Sequence, residues 1–152
     1  MPLTDLVAQQ AVIPALKVNN KKQAIQELAA RAAQLTGLGE REILEVLQQR
    51  EKLGSTGIGE GVAIPHGKLS GLPGLLAAFA RKKSGVDFAA IDAKPTYLFF
   101  VLFAPDNSAG LHLKALARIS RLFKQPQFRQ AIVDADGAPG IFRLISEEDA
   151  KY

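Results

Sequence analysis

Apolar residues recur at helical spacing in the first third of the chain. Residues 20–35 carry them three and four positions apart, and Asn20 is a suitable N-cap. Gly37 and Gly39 then end this predicted helix. The apolar stripe consists of Ala24, Ile25, Leu28, Ala32 and Leu35.

A second helix is predicted from Glu40 to Lys52, with Ile43, Val46 and Leu47 on one face. Arg50 follows these three residues at i+7, i+4 and i+3, so it lies at the inner edge of the helix. It therefore points roughly towards the glycine-rich segment that comes next.

Three apolar runs predict buried strands. Val62-Ala63-Ile64 is stopped by Pro65, and the run from Leu75 to Ala80 ends in the basic residues 81–83. The strongest run, Tyr97 to Ala104, is continuously apolar. Continuous rather than alternating apolarity predicts a central strand covered on both faces.

Helices dominate the remainder of the chain. One is predicted from about Gly110 to Lys124, a second begins at Pro126, and a third follows Asp136-Gly137 and ends near Ser146. Strands interspersed with helices predict an α/β fold, a mixed β-sheet flanked by helices. A length of 152 residues with 47% hydrophobic content predicts a single domain over residues 1–152.

Composition narrows the setting. The chain has no cysteine, which excludes disulfides and thiol catalysis, and no secretory signal or membrane span is evident. We therefore expect a cytoplasmic protein without membrane insertion. The formal charge of +4 is spread over a mixed surface, with no nucleic-acid-binding motif. Three basic clusters would attract an acidic partner: Lys17/Lys21/Lys22, Arg81-Lys82-Lys83 and Lys114/Arg118/Arg121/Lys124.

The segment from Gly54 to Lys68 is the first candidate for chemistry. Its four glycines between positions 54 and 61 suit either tight turns or an anion cradle. The dinucleotide fingerprint fails because Val62 stands where its last glycine is required, and the loop enters a strand. The P-loop fails because Leu69 stands where Ser or Thr must bind magnesium.

The chain has two histidines, and both have alternative interpretations. His66 follows Pro65 and precedes Gly67 and Lys68, a setting that favours a reactive imidazole over a structural one. His112 shares the inner face of its helix with Leu116 and Ile119. It is either a core histidine or a neutral donor to an anion, since a helix N-terminus disfavours the imidazolium. A zinc site with Glu60 matches no standard ligand spacing.

Two stretches, residues 50–59 (REKLGSTGIG) and 61–69 (GVAIPHGKL), closely resemble the active-site segment of fructose/mannitol-type IIA proteins of the bacterial phosphotransferase system. The sequence of the glycine loop, Gly-Ser-Thr-Gly-Ile-Gly, and the Gly-Lys-Leu after His66 resemble the nitrogen-regulatory branch most. The resemblance extends over nearly the whole chain. It implies the fructose/mannitol-type IIA fold.

The resemblance also implies functional roles. His66 would accept a phosphoryl group from an HPr-type carrier, on the ring nitrogen farther from the backbone. His112 would orient the phosphoryl group and Arg50 would line the site, with Ser55, Thr56, Gly57 and Lys68 in the phosphate environment. No metal, nucleotide or other cofactor would be needed. The protein would be a transfer component rather than a stand-alone enzyme.

Three functions remain open at this point. The first is a regulator whose phosphorylation state selects partner proteins, such as a potassium transporter, a sensor kinase or a metabolic enzyme. The second is a sugar-transport IIA component that passes phosphate to a separate IIB protein. The third is a binding module that recognises an anionic partner through the basic clusters without catalysis.

Overall fold

A six-stranded sheet flanked by five α-helices forms the described part of the chain, residues 3–7 and 9–151 of a computed structural model. The strands are β1 Val12–Ile13, β2 Gly57–Gly59, β3 Val62–Ala63, β4 His66–Lys68, β5 Leu76–Val86 and β6 Thr96–Ala104. The helices are α1 Lys21–Thr36, α2 Glu40–Lys52, α3 Ala109–Leu122, α4 Pro126–Asp134 and α5 Gly137–Asp149. Two short 3₁₀ turns, Leu3–Asp5 and Gln9–Ala11, precede β1.

The sheet is mixed, as the sequence predicts. Its order is β1-β5-β6-β3-β2, and β4 pairs with β6 farther along the same edge as β3. The β5–β6 pair is antiparallel, whereas β3 and β4 both run parallel to β6. None of the helices in the described residues is long and apolar enough to cross a membrane.

Strand β6 is the central strand, covered on both faces. All of its residues are buried except the half-buried Tyr97. The ring of Phe100 packs edge-on against Phe79 and Phe123, whose rings stack on each other with centroids 5.9 Å apart. Such aromatic pairs each contribute about 0.5–1.5 kcal/mol beyond area burial. The result is a rigid platform beside which the other strands are aligned.

The two N-terminal helices agree with the hydrophobic pattern. The Asn20 side chain accepts a hydrogen bond from the Gln23 N–H at 2.9 Å, which confirms it as the N-cap of α1. Gly37, with φ of +75°, ends that helix in the left-handed conformation. The predicted second helix has the same bounds as α2.

Two elements extend three or more residues beyond the ends predicted for them. The strand expected to end at the basic run instead continues through residues 81–83 to Val86, because Val86 pairs with Thr96 beyond a shift in register. The last helix continues past Ser146 to Asp149. Asp149 is buried, where it accepts hydrogen bonds from the Leu3 N–H and from Arg118, so tertiary contacts extend this helix.

Strands β3 and β4 together form one interrupted strand along β6. Val62 and Ala63 lie opposite Leu98 and Phe99, and after a break at Ile64 and Pro65 the pairing resumes with His66 opposite Leu102. Proline interrupts the ladder because it has no N–H to donate. The sequence does not predict β2 or β4, since both contain glycine and lack apolar alternation. Their pairing with neighbouring strands imposes the extended conformation.

Gly67 allows α2 to lie directly against β4. A Cβ atom at Gly67 would overlap Cγ1 of Val46. A valine in a helix has one strongly preferred rotamer, so Val46 cannot turn away without cost. The glycine after His66 is therefore required by the close approach of the helix.

We predict that Gly67→Ala lowers the free energy of unfolding by about 1–3 kcal/mol through overpacking. Denaturant titration measures this loss. Gly74→Ala is the matched control, because a Cβ at Gly74 would meet nothing within 4 Å. Equal unfolding free energies for the two variants would contradict the prediction.

Candidate functional site

Three of the predicted site residues meet at the end of β4. Arg50 comes from the last turn of α2, His66 from β4, and His112 from the first turn of α3. The Nε of Arg50 donates to Nε2 of His66 at 3.2 Å. The two imidazole rings lie edge to face, with centroids 5.4 Å apart and planes at 80°. The structure thus brings together three side chains that are far apart in sequence.

The hydrogen bonds of His66 define its tautomer. Its Nδ1 lies 2.8 Å from the carbonyl oxygen of Ile64. A carbonyl only accepts, so Nδ1 carries the proton and donates it. Nε2 is then the unprotonated nitrogen, and its lone pair accepts the hydrogen bond from Arg50. The ring is half-buried.

Arg50 is held at two points. While its Nε donates to His66, its Nη1 donates to the carbonyl oxygen of Gly54 at 2.9 Å. The planar guanidinium is therefore fixed between the histidine and the loop that follows α2. This agrees with its predicted place at the inner edge of the helix, facing the glycine-rich segment.

His112 is buried, yet it is not a satisfied core histidine. Its backbone N–H donates to Ser108 in the first turn of α3. Its ring atom Nε2 is buried and has no hydrogen-bond partner among the described residues. Buried polar atoms without partners are uncommon in native structures and call for an explanation. Beside His66, this atom suits a donor whose acceptor is a transient ligand.

The remaining predicted residues occupy different positions. Lys68 is exposed on β4, two residues from His66 and thus on the same strand face. The Ser55 hydroxyl donates to the Phe88 carbonyl, and the Thr56 hydroxyl donates to Glu51. Gly57 lies in β2, close to Ala90. The two hydroxyls are committed as donors within the protein, so their place in the phosphate environment stays a prediction.

The family model for the phosphoenolpyruvate-dependent sugar phosphotransferase system, EIIA 2, matches residues 5–148. The chain belongs to this family. A nitrogen regulatory protein of Bradyrhizobium diazoefficiens is 51% identical over 146 residues, covering 96% of this chain and 95% of the relative. A fructose-specific EIIABC component of Bacillus subtilis is 31% identical over 150 residues, which are 24% of its own length.

Solved structures agree with the family assignment. The nitrogen regulatory protein IIA-Ntr of Neisseria meningitidis superimposes with a TM-score of 0.89 at 32% identity, over 94% of this chain and 98% of the other. The mannitol IIA of Escherichia coli shares the fold, with a TM-score of 0.75 at 19% identity over 90% and 96% of the two chains. The expected IIA fold and the resemblance to the nitrogen-regulatory branch are both confirmed.

Both histidines of this IIA domain are disposed to be neutral. The pKa of His66 lies below its ordinary value of 6.5, chiefly because burial disfavours the charged ring and further because Arg50 is near. The Ile64 carbonyl and Glu51 oppose this lowering. Burial also lowers the pKa of His112, followed by the charges of His66 and Lys68. A neutral His66 keeps its Nε2 lone pair available at neutral pH.

Glu51 is a residue that the sequence analysis missed. Its carboxylate accepts from the Thr56 N–H at 3.1 Å and from the Thr56 hydroxyl, and it pairs with Lys21 at 2.8 Å. A signal was present, since Glu51 follows the buried Leu47 at i+4 and so falls on the apolar face of α2. A carboxylate at such a position needs internal partners.

The zinc interpretation finds no support in the described residues. Within them no group of three His, Cys, Asp or Glu side chains could hold a metal ion. The Glu60 carboxylate instead pairs with Arg129 at 3.3 Å. Some members of the basic clusters are also engaged internally, because Arg81 donates to four backbone carbonyls and Arg118 pairs with Asp149.

We predict that both histidines titrate below pH 6.5 and that His66 is the Nδ1–H tautomer at pH 7.5. Burial of both rings is the reason for their lowered pKa values, and the bond from Nδ1 of His66 to the Ile64 carbonyl is the reason for the tautomer. Two-dimensional NMR that correlates ring protons with ring nitrogens measures both properties in one pH series. A titration midpoint above 6.5 for either ring, or an Nε2–H signal for His66, would contradict the prediction.

Proposed function

We propose that this protein is a phosphocarrier that accepts a phosphoryl group on Nε2 of His66 from an HPr-type carrier. The observation that carries the proposal is the fixed tautomer. With Nδ1–H bonded to Ile64, the in-plane lone pair of the ring is on Nε2, beside Arg50 and His112, whose Nε2 has no hydrogen-bond partner among the described residues. A neutral imidazole with an oriented lone pair is a competent nucleophile.

The proposed transfer of the phosphoryl group between the two histidines requires neither a metal nor a nucleotide. The Nε2 lone pair of His66 attacks the phosphorus of the donor's phosphohistidine, and the donor's P–N bond breaks. The electron pair of that bond returns to the donor imidazole. Nδ1 of His66 keeps its proton, and the Ile64 carbonyl stabilises the positive charge that develops on the ring.

Arg50 and His112 would stabilise the arriving charge. Arg50 releases its bond to Nε2 and donates to the phosphoryl oxygens, while its bond to Gly54 keeps the guanidinium nearby. His112 donates from Nε2, which then gains the partner it lacks. Lys68 adds positive charge on the same side. Such preorganised donors lower the barrier because they need no reorganisation during transfer.

Regulation is the proposed use of the phosphoryl group. Phosphorylation exchanges a neutral ring for a group carrying about two negative charges, enough to change which surface docks there. The 51% identity to a nitrogen regulatory protein over nearly the full length of both chains favours this role. This protein would act in the cytoplasm and control partner proteins such as a potassium transporter or a sensor kinase.

A sugar-transport role is the second candidate, favoured by the match to part of a fructose-specific EIIABC component. It uses the same chemistry and ends with transfer to a IIB protein. The binding-only module is the third. Its binding would weaken with salt and would not depend on His66.

We predict that incubation with phosphoenolpyruvate, enzyme I and an HPr-type carrier labels the protein with an acid-labile phosphoryl group. His66→Ala removes the nucleophile and abolishes the label. Radiolabelled transfer followed by acid treatment measures this. Full labelling of the folded His66→Ala variant would refute the assignment of His66.

We predict that partner capture depends on phosphorylation. A pull-down with the phosphorylated protein and one with His66→Ala would recover different sets of partners, because only the first carries the added charge. Mass spectrometry of the two eluates measures the difference. Identical sets, both lost at high salt, would favour the binding-only module.

A further inference from the structure

Glu51 is a nearly buried charge with three donors. Its side chain is 8% exposed and lies in the last turn of α2. One carboxylate oxygen accepts the Thr56 N–H and the ammonium of Lys21, and the other accepts the Thr56 hydroxyl. A buried carboxylate is tolerated only when it is paired and hydrogen-bonded, so this group binds firmly to Thr56.

Thr56 is connected through Ile64 to Nδ1, the protonated nitrogen of the His66 ring. Thr56 is 3% exposed, and its carbonyl accepts a hydrogen bond from the Ile64 N–H at 2.9 Å. The Ile64 carbonyl accepts from Nδ1 of His66. A continuous chain of hydrogen bonds therefore runs from Glu51 through Thr56 and Ile64 to His66.

The segment from Gly54 to Thr56 is also connected, through Arg50, to Nε2, the nucleophilic nitrogen of the ring. Gly54 lies between α2 and Thr56, and its carbonyl holds Nη1 of Arg50. Arg50 donates from Nε to Nε2 of His66. Both ring nitrogens thus depend on the position of the segment from Gly54 to Thr56. Glu51 clamps the far end of that segment.

We propose that Glu51 is a positioning residue for the phosphoacceptor: by clamping Thr56 it orients both hydrogen bonds of the His66 ring. The proposal rests on the proposed phosphocarrier function. It assigns Glu51 no contact with the phosphoryl group.

The charge of Glu51 provides a second, separable effect. The charged or titratable groups that face His66 are Arg50 and Glu51 on α2, His112 on α3 and Lys68 on β4. Of these, Glu51 is the negative one, and it raises the pKa of His66. Removing its charge, and loosening the bond to Ile64, both lower the pKa of His66. Removing a structural contact elsewhere would not move this pKa.

The test compares Glu51→Gln with Glu45→Gln in the full chain. Glu45 lies on the same helix, but its side chain is 62% exposed and it pairs only loosely with Arg41. We expect Glu51→Gln to accept phosphate about tenfold to a hundredfold more slowly, since a small misplacement of reacting groups has effects of this size. We also expect the acid limb of its pH–rate profile, which reflects protonation of His66, to move to lower pH. Glu45→Gln should change neither.

Variants of Lys21 and Thr56 separate the effect of the hydrogen bonds between Glu51 and Thr56 from the effect of the charge of Glu51. Lys21→Met keeps the carboxylate and its bonds to Thr56, so its acid limb should not move to lower pH. Thr56→Val removes the hydroxyl at similar volume and should slow transfer, whereas Thr56→Ser keeps the hydroxyl and should restore it. If Glu51→Gln does not fold, the Thr56 pair decides, and equal rates for Val and Ser would overturn the proposal.

The outcomes distinguish this proposal from the function on which it rests. If the unmodified protein accepts no phosphate, the phosphocarrier function fails, and NMR titration of His66 in Glu51→Gln still tests the clamp. If the unmodified protein accepts phosphate and Glu51→Gln matches Glu45→Gln in rate and in acid limb, the positioning role of Glu51 is wrong. Slower phosphate acceptance by Glu51→Gln, together with an acid limb shifted to lower pH, supports the positioning role.

Discussion

The hydrogen bond between Nδ1 of His66 and the carbonyl of Ile64 determines what this site can do. It assigns the proton to one nitrogen and leaves a lone pair on the other. Without it the ring could rotate or change tautomer, and neither Arg50 nor His112 would face a nucleophile. The bond is local, since its partners are two residues apart. It nevertheless requires that the chain leave the β6 ladder at Ile64 and rejoin it at His66.

That interruption depends on the rigidity of the sheet. Strand β6 is buried along nearly its whole length, and β3 and β4 align beside it in one direction. Pro65 separates the two pairings, and Gly67 permits α2 to approach until Arg50 reaches the ring. Helix α3 brings His112 to the same place from the other end of the chain. Burial lowers the pKa of both imidazoles and so favours their neutral form, in which a phosphoryl group would meet one nucleophile, one neutral donor and a guanidinium.

The helical period alone predicts that Arg50 lies at the inner edge of α2 and that His112 lies on the inner face of α3. A 3.6-residue period fixes which face a side chain occupies once the buried face is known. The long apolar run of β6 likewise predicted a central strand. The sequence does not predict strands β2 and β4 because each has only three residues, with glycine among them, and their extended conformation depends on pairing with neighbouring strands.

The partners of a buried charged residue such as Glu51 cannot be predicted from the sequence either. Its sequence position on the apolar face was visible, but its acceptance of both Thr56 donors depends on how the loop folds back. The hydroxyls of Ser55 and Thr56 donate within the protein, a contact that the sequence does not reveal, and their place in the phosphate environment stays a prediction.

The most direct test of this account is the site of phosphorylation at atomic resolution. After enzymatic phosphorylation of protein labelled with ¹⁵N in histidine, ring-nitrogen NMR identifies the modified nitrogen through its coupling to phosphorus. We expect a P–N bond at Nε2 of His66, with the proton retained on Nδ1 and bonded to Ile64. A phosphoryl group on Nδ1 of His66, or on His112, would contradict it.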